Sequence, residues 1–404
     1  INTLSDMALI TGQSRVNING GTFYKNIYGG GDMARIENSS NDATILSISD
    51  NANVLDSVFA GGNGREKSDS YTSGKTMNPE LVGKVTGNTN VNFYGTPTLA
   101  PKVYGDIFGG GNLAVVDGNT NVNIFAASFA GEVYGGGKGL LSNKGDVINS
   151  ANVTGNTSVV LAQDQGGQEE GENGKLEDQF SINVIWDRLW DGTKLVDWTD
   201  ATKDKFFKDK KFLNPHNIYG GGKYACVVGT YTAEGTLTDG TGTATVSVRK
   251  GMTPFSLLKT DEWKQSYTDN KNPHFYVFGG GYGKHTKVGN TDVTVNVEGQ
   301  YGIYNNEIDS NDEQLAKPRA WQPTGLSSVT EAQGEGSESS ELSKVFDNSK
   351  GIPNFTILGV LGGGYAGTVS NDTKVTVDGN TFLHRVYGGG FGDPDASSAD
   401  DKTG

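Results

Sequence analysis

One short string recurs along this chain: an aliphatic residue, an aromatic residue and three glycines. It reads VYGGG at Val133 and Val386, IYGGG at Ile27 and Ile218, IFGGG at Ile107 and VFGGG at Val277, with VLGGG at Val360 and a worn VFAGG at Val58. Glycine loses more backbone freedom on folding than any other residue, so its use at eight equivalent places needs a reason that repeats with the motif. The residues ahead of the glycines are Tyr28, Phe59, Phe108, Tyr134, Tyr219, Phe278, Leu361 and Tyr387, at spacings of 31, 49, 26, 85, 59, 83 and 26. The minimum of 26 occurs twice, and the other intervals read as 26 plus insertions.

A second motif lies inside each interval. It is VTGNTNVNF at Val85, VDGNTNVNI at Val116, VTGNTSVVL at Val153, VGNTDVTVNV at Val288 and VSNDTKVTV at Val369. Weaker copies start at Ile10 and Gly240, and the faintest, DATILSI, starts at Asp42. Its T-x-V-x-V portion alternates with period two, a strand signature: Thr120, Val122 and Ile124 share one face, and Asn121 and Asn123 share the other. The VDGN ahead of it reads as a turn with Gly118 at positive φ. A unit of 26 residues cannot bury its apolar face alone but can do so stacked on copies of itself. The expected fold is therefore all-β, a parallel β-helix of about eight coils running through residues 1–404 as one solenoid. The glycine triplets are expected to turn the backbone sharply and to let coils pack closely. The aromatic residues should stack from coil to coil; the pattern leaves open whether that ladder faces the core or lies under inserted loops.

The extra residues enter at one joint. From the last strand residue to the aliphatic residue of the glycine motif the distance is 9 in three coils, 10 in one and 14 in another. It is 57 from Leu161 to Ile218, 29 from Val248 to Val277 and 63 from Val297 to Val360. Insertions at 162–217, 249–276 and 298–359 thus interrupt three consecutive coils at the same place, with smaller ones at 63–83 and 138–150. Equal joints stack in a solenoid, so these segments should emerge on one face, often the binding face of a repeat protein. All five tryptophans fall in the large insertions. Trp186, Trp190, Trp198, Trp263, Tyr267, Tyr301, Tyr304 and Trp321 are the candidate ligand-binding residues, as an aromatic platform for a sugar or peptide; packing as the core of a small subdomain is the competing role.

Catalytic chemistry needs two or three converging acids, or a caged cation. Of the sixteen outward residues on the T-x-V-x-V strands one, Asp292, is acidic, so that face offers amides and hydroxyls rather than an acid–base pair. SGKT at Ser73 lacks the first glycine of a phosphate loop, since Asp69 stands in its place. Ca²⁺ is the ion that DSNDE at Asp309 or GDPD at Gly392 would take, but such loop acids are more often simply solvated, and no cofactor or metal site is expected. The histidines His216, His274, His285 and His384 show no metal-ligand spacing. Cys226, the one cysteine, excludes an intrachain disulfide and in YACVVG reads as a buried thiol. A net charge of −14 without a basic cluster argues against nucleic acid, and no apolar run reaches the length of a membrane span. The chain reads as a piece of something longer or as a mature form.

The segments VTGNTNVNF…DIFGGGN and VDGNTNVNIFAASFAGEVYGGGK resemble the Gly-rich repeats of large secreted or surface-anchored, adhesin-like β-helix proteins of gut bacteria. The resemblance covers the rod motifs, about half the chain, and implies an extracellular or cell-surface location and a right-handed β-helix; it transfers no catalytic residue. The expected function is a non-enzymatic surface module presenting loops to a glycan or a surface protein. The alternatives are a β-helix polysaccharide lyase or glycoside hydrolase, drawing on Asp187, Asp191, Asp261, Glu262 and Asp309, and a plain stalk or spacer.

Overall fold

The structure is a computed structural model. It describes residues 8–66, 81–95, 100–129, 131–161, 182–184, 188–190, 195–197, 217–229, 241–249, 275–296, 357–378 and 385–392. These contain strands and turns and no helix, so none of them forms a helix long and apolar enough to cross a membrane.

The fold is a parallel β-helix of eight coils. The first sheet stacks the T-x-V-x-V strands in chain order: Ser14–Ile18, Arg35–Ile48, Val85–Phe93, Thr120–Ile124, Thr157–Leu161, Thr243–Val248, Asn290–Asn296 and Thr373–Asp378. Their register is that of the motif, with Val91, Val122, Val159, Val246, Val293 and Val375 in one file. The alternation is observed as expected: Thr120, Val122 and Ile124 are fully buried, and Asn121 and Asn123 are not. A second sheet of short strands occupies the spacer, at Thr22–Phe23, Asn53–Val54, Lys102–Val103, Ala127–Phe129 and Ile182–Val184. The third sheet stacks the eight aliphatic–aromatic pairs, from Ile27–Tyr28 to Arg385–Tyr387.

Between the sheets the valine file of the first and the aliphatic file of the third (Val58, Ile107, Val133, Ile218, Val277, Val360) form one continuous apolar core. Side chains alternate across a strand, so the aromatic residue that follows each aliphatic one points away from that core. It joins a separate cluster of Phe59, Phe108, Tyr134, Tyr219, Phe278 and Leu361 on the other face of the third sheet. Consecutive rings stack at 4.7–5.2 Å with interplanar angles of 2–12° from Tyr28 to Phe278.

The chain bends at the first two residues of the triplet in every coil, as expected, and it does so without a left-handed backbone. None of them in the first seven coils takes a left-handed φ. The left-handed residue comes five places after the aromatic, at Met33, Leu113, Tyr224 and Ala366 with φ of 61, 52, 48 and 51°. Close approach is what excludes a side chain from the triplets. A Cβ on Gly135 would lie 2.2 Å from the Gly220 carbonyl oxygen, and one on Gly110 would lie 2.6 Å from the Gly137 nitrogen. Gly118 is corrected: its φ is not left-handed, and a Cβ there would meet the Gly87 backbone at 2.5 Å.

Candidate functional site

The joint where the large insertions leave the rod has a strand on each side. Leu161, Val248 and Val295 are register neighbours in the first sheet, and Ile218, Val277 and Val360 are register neighbours in the third. Three inserted segments therefore leave along one file and return along another, in coils five, six and seven. The first of them is not one loop. Ile182–Val184 pairs in parallel with Ala127–Phe129, which returns the chain to the second sheet and divides 162–217 into two excursions. Within the second excursion Arg188–Trp190 and Leu195–Asp197 pair antiparallel, with Trp190 opposite Leu195. The smaller insertion at 138–150 is also a hairpin, Leu140–Leu141 against Val147–Asn149.

Of the aromatic candidates only Trp190 has a described backbone. Trp186, Trp198, Trp263, Tyr267, Tyr301, Tyr304 and Trp321 lie outside the described residues, as do Asp187, Asp191, Asp261, Glu262 and Asp309 and the loop acids of 309–313. Among the described residues no group of His, Cys, Asp and Glu is arranged to hold a metal ion. Cys226 is a free, fully buried thiol whose burial pushes its pKa up to about 12.

The polar file on the first sheet is an amide ladder in coils three and four: Asn121 donates to Asn90 and Asn123 to Asn92, both at 2.9 Å. The asparagine of G-N-T has a different role. Asn88, Asn119 and Asn156 each accept a backbone N–H from the coil above, from Asn119, Asn156 and Thr243. They close the backbone ladder where the strand begins.

The richest chemistry lies over the aromatic file, at positions the sequence reading passed by. The residue two before each aromatic and the residue four after it flank the ring. In coils one, four and five, where the ring is a tyrosine, the earlier residue meets its hydroxyl: Asn26 donates to Tyr28 at 3.0 Å, Tyr134 donates to Glu132 at 2.5 Å, and Asn217 donates to Tyr219 at 3.4 Å. The same position ties coil to coil, since Asn26, Asp106 and Asn217 accept the backbone N–H of Ser57, Glu132 and Tyr276. The later file begins with Asp32, Asn63 and Asn112 joined by side-chain hydrogen bonds. It ends with Tyr282, Tyr365 and Phe391 stacked at 5.2 and 5.7 Å.

Between these polar and aromatic ends, in coils three to five, sits an ionic cluster. Lys223 Nζ is 2.8 Å from Asp106 Oδ2 and 3.4 Å from Glu132 Oε2, and it lies over the rings of Tyr134 and Tyr282 at 5.2 and 5.8 Å. The side chains of Lys223, Asp106 and Glu132 are only 17, 16 and 6% exposed. Burial opposes charge on both Lys223 and Asp106, but their mutual attraction prevails, so the ammonium is held above its ordinary pKa and the carboxylate below its own. Burial pushes the Lys138 ammonium down, against the pull of Asp106. Burial likewise pushes the Asp56 carboxyl up. The signal was in the text as DIFGGGN, EVYGGGK and IYGGGK, but it becomes a cluster only when residues 26 and 117 apart are stacked.

No known family model, curated protein or solved structure matches the chain.

Proposed function

We propose that this chain is a non-enzymatic scaffold, secreted or held at a cell surface, whose rod presents inserted segments to a glycan or protein partner. The observation that carries the reading is the shared joint. Three consecutive coils open at the same register positions and close at the same register positions, while the core beneath them continues unbroken. A solenoid that admits its three longest insertions between the same two files of residues, in neighbouring coils, brings them together. A rigid rod also holds such segments at a fixed distance from whatever anchors it.

The test is binding by the whole chain to glycan and surface-protein arrays, compared with a variant in which 185–216, 249–274 and 298–356 are replaced by short Gly/Ser linkers. The expected result is binding by the whole chain that is lost in a variant with unchanged β-sheet circular dichroism. Binding that survives removal of all three segments, or none by the whole chain, overturns the proposal.

A further inference from the structure

We propose that Lys223 and Asp106 join through an intramolecular amide bond, with Glu132 as the proton carrier, so that the rod is covalently stapled across coils three to five. The geometry holds every group the reaction needs. The amine nitrogen rests 2.8 Å from Asp106 Oδ2, and the other carboxyl oxygen, Oδ1, is fixed by the Glu132 backbone N–H at 3.0 Å. Oδ2 is therefore the oxygen free to leave. A second carboxylate reaches the same nitrogen, since Glu132 Oε2 is 3.4 Å away. That oxygen is itself held by the Tyr134 hydroxyl, which sets it as a proton carrier rather than as the acyl group. Rings of Tyr134 and Tyr282 flank the nitrogen.

The step balances without any co-reactant. The charged pair is the resting state, so the step starts from its minor tautomer, in which a proton has passed from the Lys223 ammonium to Asp106 to leave a neutral amine beside a neutral carboxyl. The nitrogen attacks Asp106 Cγ, Glu132 takes a proton from it, and Glu132 returns that proton to the departing hydroxyl. One C–N bond forms, one C–O bond breaks and one water leaves, with no change of oxidation state. Two features favour it. Fixing both groups in contact replaces an encounter between free molecules, which is worth effective concentrations of order 10⁵ M or more. The product also removes one positive and one negative charge from a site where each is costly to bury. The link would join residues 117 apart in the chain, and the loop it closes contains the first large insertion.

Intact-mass measurement of the whole chain tests this directly. The expected mass is that of the sequence less one water, and trypsin should release a branched peptide joining 103–138 to 212–249, with fragment ions placing the link on Asp106 and Lys223. Glu132→Gln should recover the full mass while keeping the β-sheet circular dichroism of the parent. A parent chain of full mass overturns the proposal. So does a lost water that maps elsewhere, such as a cyclised Asp-Gly, or a link made to Glu132. A link that forms undiminished in Glu132→Gln overturns the role given to Glu132.

Discussion

The carbonyl of the first glycine in each triplet is passed over by the coil-to-coil ladder. Gly135 N–H bonds to the Tyr219 carbonyl and Gly136 N–H to that of Gly221, which skips Gly220. The motif threonine of the same coil fills the gap: Thr157 donates to Gly220 at 2.6 Å, and the same bond runs from Ser14, Thr44, Thr89, Thr120, Thr291 and Thr373 in their own coils. This bond is why the two motifs travel together. Coil six breaks the rule, because Ala244 stands in register with Thr157 and Thr291. Ala244→Thr should supply the hydroxyl to Gly279 and raise stability by about 1 kcal/mol, read as a higher urea midpoint; a lower midpoint would show that the site has no room. The glycines themselves give a sharper contrast. Gly110→Ala drives a methyl into the Gly137 backbone and should cost about 3 kcal/mol. Gly389→Ala, in the last coil where nothing stands within 4 Å, should leave the midpoint unchanged. Equal effects of the two substitutions would refute close packing as the reason for the triplet.

At the scale of the coil, the backbone N–H of Ser57, Asp106, Glu132 and Tyr276, each two before the aromatic, is met by the side chain at the same position of the coil below. Asn217 is fully buried and takes the Tyr276 N–H at 2.9 Å, so Asn217→Ala should cost about 1–3 kcal/mol by orphaning that donor. Asn26→Ala should cost less, because Asp56 Oδ1 also accepts the Ser57 N–H at 2.9 Å. Denaturation of the two variants side by side checks the order, and the reverse order would rule out the capping role. These caps mark the limit of what the sequence made legible. The period-two strands, the aromatic stack and the shared joint could be read because each repeats along the text. Ile182–Val184 could not, because the insertion was measured by its length and a three-residue strand leaves no periodicity. The Asp106–Glu132–Lys223 cluster could not either, since one coil holds the base and two others hold the acids. The glycine triplets were legible both as a rule and as a reason, since a bend and a close approach of neighbouring coils both favour glycine and both are found there.

For the whole molecule, the ionisable groups buried along the outer face of the third sheet and beside Gly222 tilt stability against alkali. Burial raises Tyr134, Tyr219 and Tyr282 above the ordinary 10.0, and Cys226 rises from 9.0 to about 12. A group whose pKa is higher folded than unfolded contributes stability that is complete below its unfolded value and is lost as pH rises towards the folded one. The loss should begin near pH 9 with Cys226 and steepen above 10 as the tyrosines join, at about 1.4 kcal/mol per pH unit for each group. Lys223, also raised, adds to the loss from about 10.5 in chains where its amine is free. Lys138 runs the other way, since its lowered pKa relieves the fold as pH rises, but it is one group against several. The urea midpoint should therefore fall from about pH 9 and most steeply above about pH 10. Phenolate absorbance from the buried tyrosines should grow only in step with loss of the β-sheet signal. Phenolate that appears while the sheet signal is intact would mean that these rings reach water in the folded rod, and the aromatic file would then be an open surface rather than a buried spine.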